Sequence, residues 1–227
     1  MKLIIPLTAS LLLAAPLTGG WAQSLESSTR ARNGEPMYEV TITNITRGAF
    51  FTPILVASHR SGVNLFTLGQ PASDELATLA EGGDVAPLEQ ALRADPRVVD
   101  VADSGGLLKP GESVTVRVAA RSADRISLAA MILPTNDGFI ALNGMEAPRF
   151  GSLNDRVPGY DAGSEPNDEL CASIPGPQCG GVGVSAAAGG EGFVHIHAGI
   201  HGIADLKPEL YDWRNPMASV TITRVAR

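Results

Sequence analysis

Residues 131–165 read MILPTNDGFIALNGMEAPRFGSLNDRVPGYDAGSE, and the rest of the chain is organised around this stretch. An apolar run is followed by a polar turn that carries Asp137, and a long loop then ends in YDAGSE. Hard cations such as calcium bind carboxylate oxygens offered from turns, where glycine lets the backbone bend tightly. Asp137, Asp161 and Glu165 are therefore candidate calcium ligands. The alternative is that they are solvated loop acids, since loops are generally polar.

Alternating strands predominate along the chain, and they predict an all-β, antiparallel β-sandwich. Residues 37–44 and 218–225 alternate apolar and polar side chains, and the two segments are similar enough to pair with each other. Residues 113–118 alternate in the same way. Residues 125–133 are apolar on both faces and are expected to form a central strand. Further strands are expected in three segments: 50–58, 139–142 and 193–197.

Two short helices are predicted between the early strands, as an insertion packed over the sheet. Ser73 is the expected cap of the first helix, which ends at a glycine pair. Asp84 is the expected cap of the second, which Pro96 ends. Its apolar face is predicted to consist of Val85, Leu88, Ala91 and Leu92. Residues 143–191 hold most of the glycine and proline and predict long irregular loops, which are usually functional or tied down.

The N-terminus predicts a secretory signal peptide at residues 1–22, with a charged start, an apolar run and small residues at the cleavage point. The alternative is a membrane anchor, although the run is short and interrupted for a bilayer span. A flexible segment at residues 23–36 and a single sandwich domain at residues 37–227 are expected to follow. The mature protein is then secreted or periplasmic, without a transmembrane segment.

Composition narrows the classes of function. The net charge is −7, only 18% of residues are charged and no basic cluster is present, which argues against nucleic acid as a partner. No nucleophile elbow, phosphate-binding loop or EF-hand loop occurs, so no catalytic residue is predicted. Cys171 and Cys179 are expected to pair in an oxidising compartment, and the alternative is a free thiol pair or a metal site.

The segment HIHAGIHG is a second candidate site, because it holds three of the four histidines of the chain. Strand alternation places His195 and His197 on one face, and a turn at Gly199 could return His201 to them. Three imidazoles suit zinc, copper or iron, which would favour a metal-dependent enzyme or a metal-handling protein. The alternative is that these histidines are hydrogen-bonding residues that shape a loop.

The motifs PTNDGFIALNG and YDAGSE, together with the closing strand, resemble the spondin N-terminal domain family, including its bacterial secreted members, over about residues 38–225. The resemblance implies an eight-stranded antiparallel sandwich with a calcium ion at one end. It implies Asp137, Asp161 and Glu165 as ligands, with Glu165 standing where the animal members have Asp. The expected function is a secreted calcium-binding module for adhesion or binding, with a mainly structural ion. The expected partner is an unidentified protein or glycan surface.

Overall fold

Two antiparallel sheets face each other in the computed structural model, which describes residues 35–184 and 189–225. The predicted signal peptide and residues 23–34 of the predicted flexible segment lie outside the described residues. In chain order the strands are β1 Met37–Asn44, β2 Phe50–Phe51, β3 Leu55–His59, β4 Val98–Asp103, β5 Ser113–Ala119, β6 Arg125–Leu133, β7 Gly138–Glu146, β8 Ser152–Val157, β9 Gly159–Asp161, β10 His195–Ile196 and β11 Ala218–Arg224. The helices are α1 Asp74–Gly82, α2 Ala86–Ala94 and α3 Pro208–Tyr211, and Cys171–Ser173 forms a single 3-10 turn.

The smaller sheet has the strand order β5-β1-β11-β8. The predicted pairing of the first and last strands is confirmed, with Val40 opposite Ile222 in β11 and opposite Val116 in β5. Alternate residues of β1 are fully buried, as the pattern predicted, because only one face of this sheet meets the core.

The larger sheet has the order β10-β9-β7-β6-β3-β4, and β2 pairs with β6 beside β3. Strand β6 is central, as predicted, and it is buried on both faces. Ile126, Leu128 and Ile132 face the smaller sheet. Ala129 faces outward, where it joins Leu76 of α1 in a second apolar cluster. The two helices therefore cover the outer face of this sheet, which confirms the prediction of a helical insertion packed over the sheet.

The helix boundaries follow local chemistry. The Ser73 hydroxyl accepts a hydrogen bond from the N–H of Leu76, which confirms the predicted cap of α1. The predicted cap of α2 was wrong by one residue: Val85 is the cap, while the Asp84 carboxylate accepts a hydrogen bond from the N–H of Ala86. Ala91 was also wrongly placed, because it is exposed whereas Leu88 and Leu92 are buried.

Two expectations about the architecture were wrong, and two elements were not anticipated. Residues 143–191 are not irregular throughout, because β8 and β9 lie among them and β7 extends into them. The described residues contain eleven strands rather than eight, since β2, β9 and β10 are short segments of two or three residues. Strand β4 and helix α3 were not anticipated, because neither segment shows a long periodic pattern.

We expect Gly83→Ala to destabilise the fold more than Gly111→Ala. Both glycines have positive φ, +70° and +78°, so either alanine costs about 1–2 kcal/mol of backbone strain. A Cβ at Gly83 would also lie 2.5 Å from Cγ2 of Thr52, whereas nothing lies within 4 Å at Gly111. Overpacking should add about 1–3 kcal/mol at Gly83 alone, measured as the free energy of unfolding in urea. Equal losses in the two variants would contradict this account.

Candidate metal centre

The sequence-predicted acids and histidines meet at one end of the larger sheet. Gly138, the first residue of β7, is opposite Asp161 in β9, and Asp161 is opposite His195 in β10. Asp137 directly precedes Gly138, so the backbone register alone places Asp137, Asp161 and His195 in neighbouring positions. The long loop that follows Asp161 then folds over them.

The side chains of the turn after β6 hold this loop in place. Thr135 closes the turn, since its hydroxyl donates to the carbonyl of Ile132 at 2.6 Å and accepts from the N–H of Gly138 at 3.0 Å. The amide of Asn136 donates to the Asp168 carboxylate at 2.9 Å. Consecutive residues of the motif PTND thus shape the turn and fasten the loop that follows β9.

Asp137 fastens a second part of the loop. Its Oδ2 accepts hydrogen bonds from the N–H of Ser164 at 2.7 Å, from the hydroxyl of Ser164 at 3.2 Å and from the N–H of Glu165 at 3.0 Å. Its Oδ1 is buried and has no hydrogen-bond partner. One carboxylate oxygen therefore organises the loop, while the other remains available to a ligand.

Asp137 and Asp161 are both completely buried. No lysine or arginine within residues 35–184 and 189–225 forms a salt bridge with either carboxylate. Burial, and then the charge of Asp161, raise the pKa of Asp137 to about 7. Burial also raises the pKa of Asp161. The arrangement places two buried acids together and fits a cation, because such charges are retained in a protein interior only when they are compensated.

Asp161 is surrounded by polar groups. Its Oδ1 accepts from the N–H of Gly163 at 2.8 Å and lies 3.5 Å from Nδ1 of His195. Its Oδ2 accepts from the side-chain amide of Asn167 at 2.6 Å. Gly163 has φ +68°, and a side chain there would collide with the backbone of Phe193, so the DAG turn requires glycine at this position.

The third predicted calcium ligand, Glu165, is 1% exposed. Among the described residues, the three-residue group whose ligand atoms all lie within 4.8 Å of one another consists of Asp161, Glu191 and His195. Of the three predicted calcium ligands, Asp161 lies in this group. Asp137 contacts the loop that follows Asp161, where it accepts hydrogen bonds from the N–H groups of Ser164 and Glu165.

The three histidines occupy different environments. His195 is partly exposed beside Asp161, and His201 is exposed. His197 is buried against Trp213, with ring centroids 4.9 Å apart, and its Nδ1 accepts a hydrogen bond from the N–H of Gly199 at 2.9 Å. Its Nε2 is buried without a hydrogen-bond partner.

Burial, and then the charges of His195 and His201, lower the pKa of His197 to about 4. The hydrogen bond to Nδ1 assigns the proton of neutral His197 to Nε2, so neither nitrogen presents a free lone pair in this arrangement. The three-histidine site therefore stays a prediction, and the residues around His195 that the structure brings together are carboxylates.

The remaining loops are tied by two further features. Cys171 and Cys179 form a disulfide, which confirms the predicted pairing. The Glu169 carboxylate accepts hydrogen bonds from the backbone N–H groups of His201, Gly202 and Ile203. Sequence reasoning did not find the roles of Glu169, Asn167 or Glu191, because no local spacing relates them to residues that they meet only in the folded chain.

The Spondin_N family model matches residues 43–151, so this part of the chain is similar to that family. The matched part contains Asp137 and ends before Asp161, Glu165 and the three histidines. No curated protein matches the chain. The match suggests an extracellular domain, and the disulfide fits that setting. Among the described residues, no helix has the length and apolar character needed to cross a bilayer.

In metal-free protein, the stability should fall as pH rises from about 4 to about 7. The raised pKa of Asp137, about 7, means that the folded chain keeps a proton that the unfolded chain releases near pH 3.9. Stability from this group is thus complete below about pH 4 and is lost as pH rises through the folded pKa. Urea midpoints measured in EDTA across this range would test this. Asp137→Asn should reduce the slope, and Asp155→Asn, an exposed control, should not; equal slopes in all three proteins would contradict the assignment.

Proposed function

We propose that this protein is a secreted or periplasmic calcium-binding β-sandwich module that acts by adhesion or binding, and that its ion is mainly structural. The observation that carries the proposal is the burial of Asp137 and Asp161 side by side without a lysine or arginine partner. Glu165, on the loop that Asp137 holds, supplies a third buried carboxylate.

Calcium is the ion that these three residues favour. It takes six to eight oxygen ligands, and carboxylates and backbone carbonyls on turns are its usual donors. Oδ1 of Asp137 is a buried carboxylate oxygen without a hydrogen-bond partner, which is the kind of atom that a cation would use. A bound cation would also offset the burial of the Asp137 charge and its repulsion by Asp161, which together raise the pKa of Asp137.

A structural role for the ion follows from what these acids touch. Asp137 holds the backbone at Ser164 and Glu165, and Asp161 holds the backbone at Gly163. A cation at these carboxylates would therefore connect the β6–β7 turn to the loop that follows β9. Calcium would order the loops at this end of the sandwich, and surface loops on a rigid scaffold are common places for binding residues.

Calcium should raise the melting temperature of the protein, and EDTA should lower it again. At a concentration of about 100 times Kd, a ligand of the folded state adds about 2.7 kcal/mol of stability. For a domain of this size, that corresponds to a rise in Tm of about 5–11 °C. Differential scanning calorimetry of protein purified without an affinity tag is the measurement.

Asp137→Asn is the sharpest variant for this test. Its amide oxygen can keep accepting the hydrogen bonds from Ser164 and Glu165, while its NH2 replaces the oxygen that lacks a partner. We expect a folded protein whose Tm no longer responds to calcium. Asp155→Asn, an exposed acid on β8, should respond like the parent protein. An undiminished calcium response in Asp137→Asn would refute the site.

The proposed partner is a protein or glycan surface, in keeping with an extracellular domain. Binding of labelled protein to arrays of glycans and matrix proteins would test this, with calcium and then with EDTA. We expect at least one saturable interaction that weakens in EDTA and in Asp137→Asn. Retention that is equal in every condition and on every surface would argue against a binding module.

A further inference from the structure

The geometry points to a second metal site, for zinc or a transition-metal ion of the same class, formed by Asp161, Glu191 and His195. The ligand atoms of these residues lie within 4.8 Å of one another. This set differs from the predicted calcium ligands and from the three-histidine prediction. It combines one residue of each with a carboxylate that neither included.

The positions of the three residues are set by the fold. Asp161 and His195 are directly opposite each other in the β9–β10 pair, so the backbone holds their side chains together. Glu191 approaches from the segment that leads into β10. The side-chain amide of Asn167 donates to Oδ2 of Asp161 at 2.6 Å and lies 3.5 Å from Oε1 of Glu191. Asn167 thus contacts both carboxylates.

The atoms nearest each other have a spacing that suits a shared ion. Nδ1 of His195 lies 3.5 Å from Oδ1 of Asp161. Two ligand atoms about 2.1 Å from zinc, at a tetrahedral angle, are about 3.4 Å apart. Nδ1 is buried and makes no hydrogen bond to the described residues, so it is not committed to another partner.

The donor set selects the class of ion. Calcium and magnesium take oxygen ligands, whereas an imidazole nitrogen beside carboxylates suits zinc and its neighbours in the first transition series. The three side chains would fill three of four tetrahedral positions. Glu191 is exposed and the side chain of His195 is 32% exposed, so an ion can enter from solvent and the fourth position faces water.

The two proposed metal sites share Asp161 but differ in their other ligands. Loss of Asp161 would affect both ions, so Asp161 variants do not discriminate between them. Asp137 belongs to the calcium proposal alone, and His195 and Glu191 belong to the zinc site alone. Either proposal can therefore fail while the other holds.

Zinc titration of the tag-free, metal-stripped protein tests the inference, by calorimetry and by competition with a chromophoric chelator. We expect one equivalent of zinc to bind. His195→Gln and Glu191→Gln should each weaken binding by at least about tenfold. Cobalt(II) should give visible absorption bands that His195→Gln removes. Because both residues are solvent-accessible, these variants should fold, which circular dichroism would verify.

The matched controls are His201→Gln and Asp137→Asn. His201 is an exposed histidine from the same segment, outside the group of three, and its loss should leave zinc affinity unchanged. Asp137→Asn should also keep its zinc affinity while losing the calcium response. The inference is overturned if zinc does not saturate one site, if His195→Gln binds zinc normally, or if His201→Gln weakens binding as much as His195→Gln does.

Discussion

Oδ2 of Asp137, a fully buried side chain, accepts hydrogen bonds from the N–H of Ser164 and from the N–H of Glu165. This contact fixes the loop after β9 against the turn after β6. The loop then brings Asn167 to Asp161, and the cross-strand pairing brings His195. Removing the Asp137 carboxylate would leave buried backbone donors without partners, which costs about 1–3 kcal/mol for each group.

Burial of Asp137 beside Asp161 has an electrostatic cost that the hydrogen bonds from Ser164 and Glu165 only partly offset, and this cost would favour a cation at the site. Two buried carboxylates without a basic partner are unfavourable, and the raised pKa of Asp137 reports this. Holding the loop needs only one acceptor oxygen, and Oδ2 of Asp137 supplies it. The buried second oxygen of Asp137 and the close approach of Asp161 go beyond that role, and they provide the ligand atoms that a metal would use.

The atoms that could bind a metal differ from one side of the site to the other. Toward Asp137 and Glu165 the donors are carboxylate oxygens, while toward Glu191 a histidine nitrogen joins them. Asp161 lies between the two regions because β9 is paired with β7 on one side and with β10 on the other. Under the two proposals, a single buried carboxylate in the middle of a three-strand row would serve both a structural calcium and a more accessible transition-metal ion.

The sequence by itself determined the sandwich, the central strand β6, the pairing of β1 with β11, the cap at Ser73 and the disulfide. Each of these depends on a local period, a cap residue or a small number of possible partners. It also singled out Asp137 and Asp161 as candidate ligands, because loop acids beside glycine have a local signature, and their role as ligands stays a prediction. Only the tertiary structure brought Glu191 to Asp161 and His195, separated the environments of His195 and His197, and tied Glu169 to residues 201–203. These contacts join residues far apart in the chain or alter the course of a loop, and no periodic pattern encodes them.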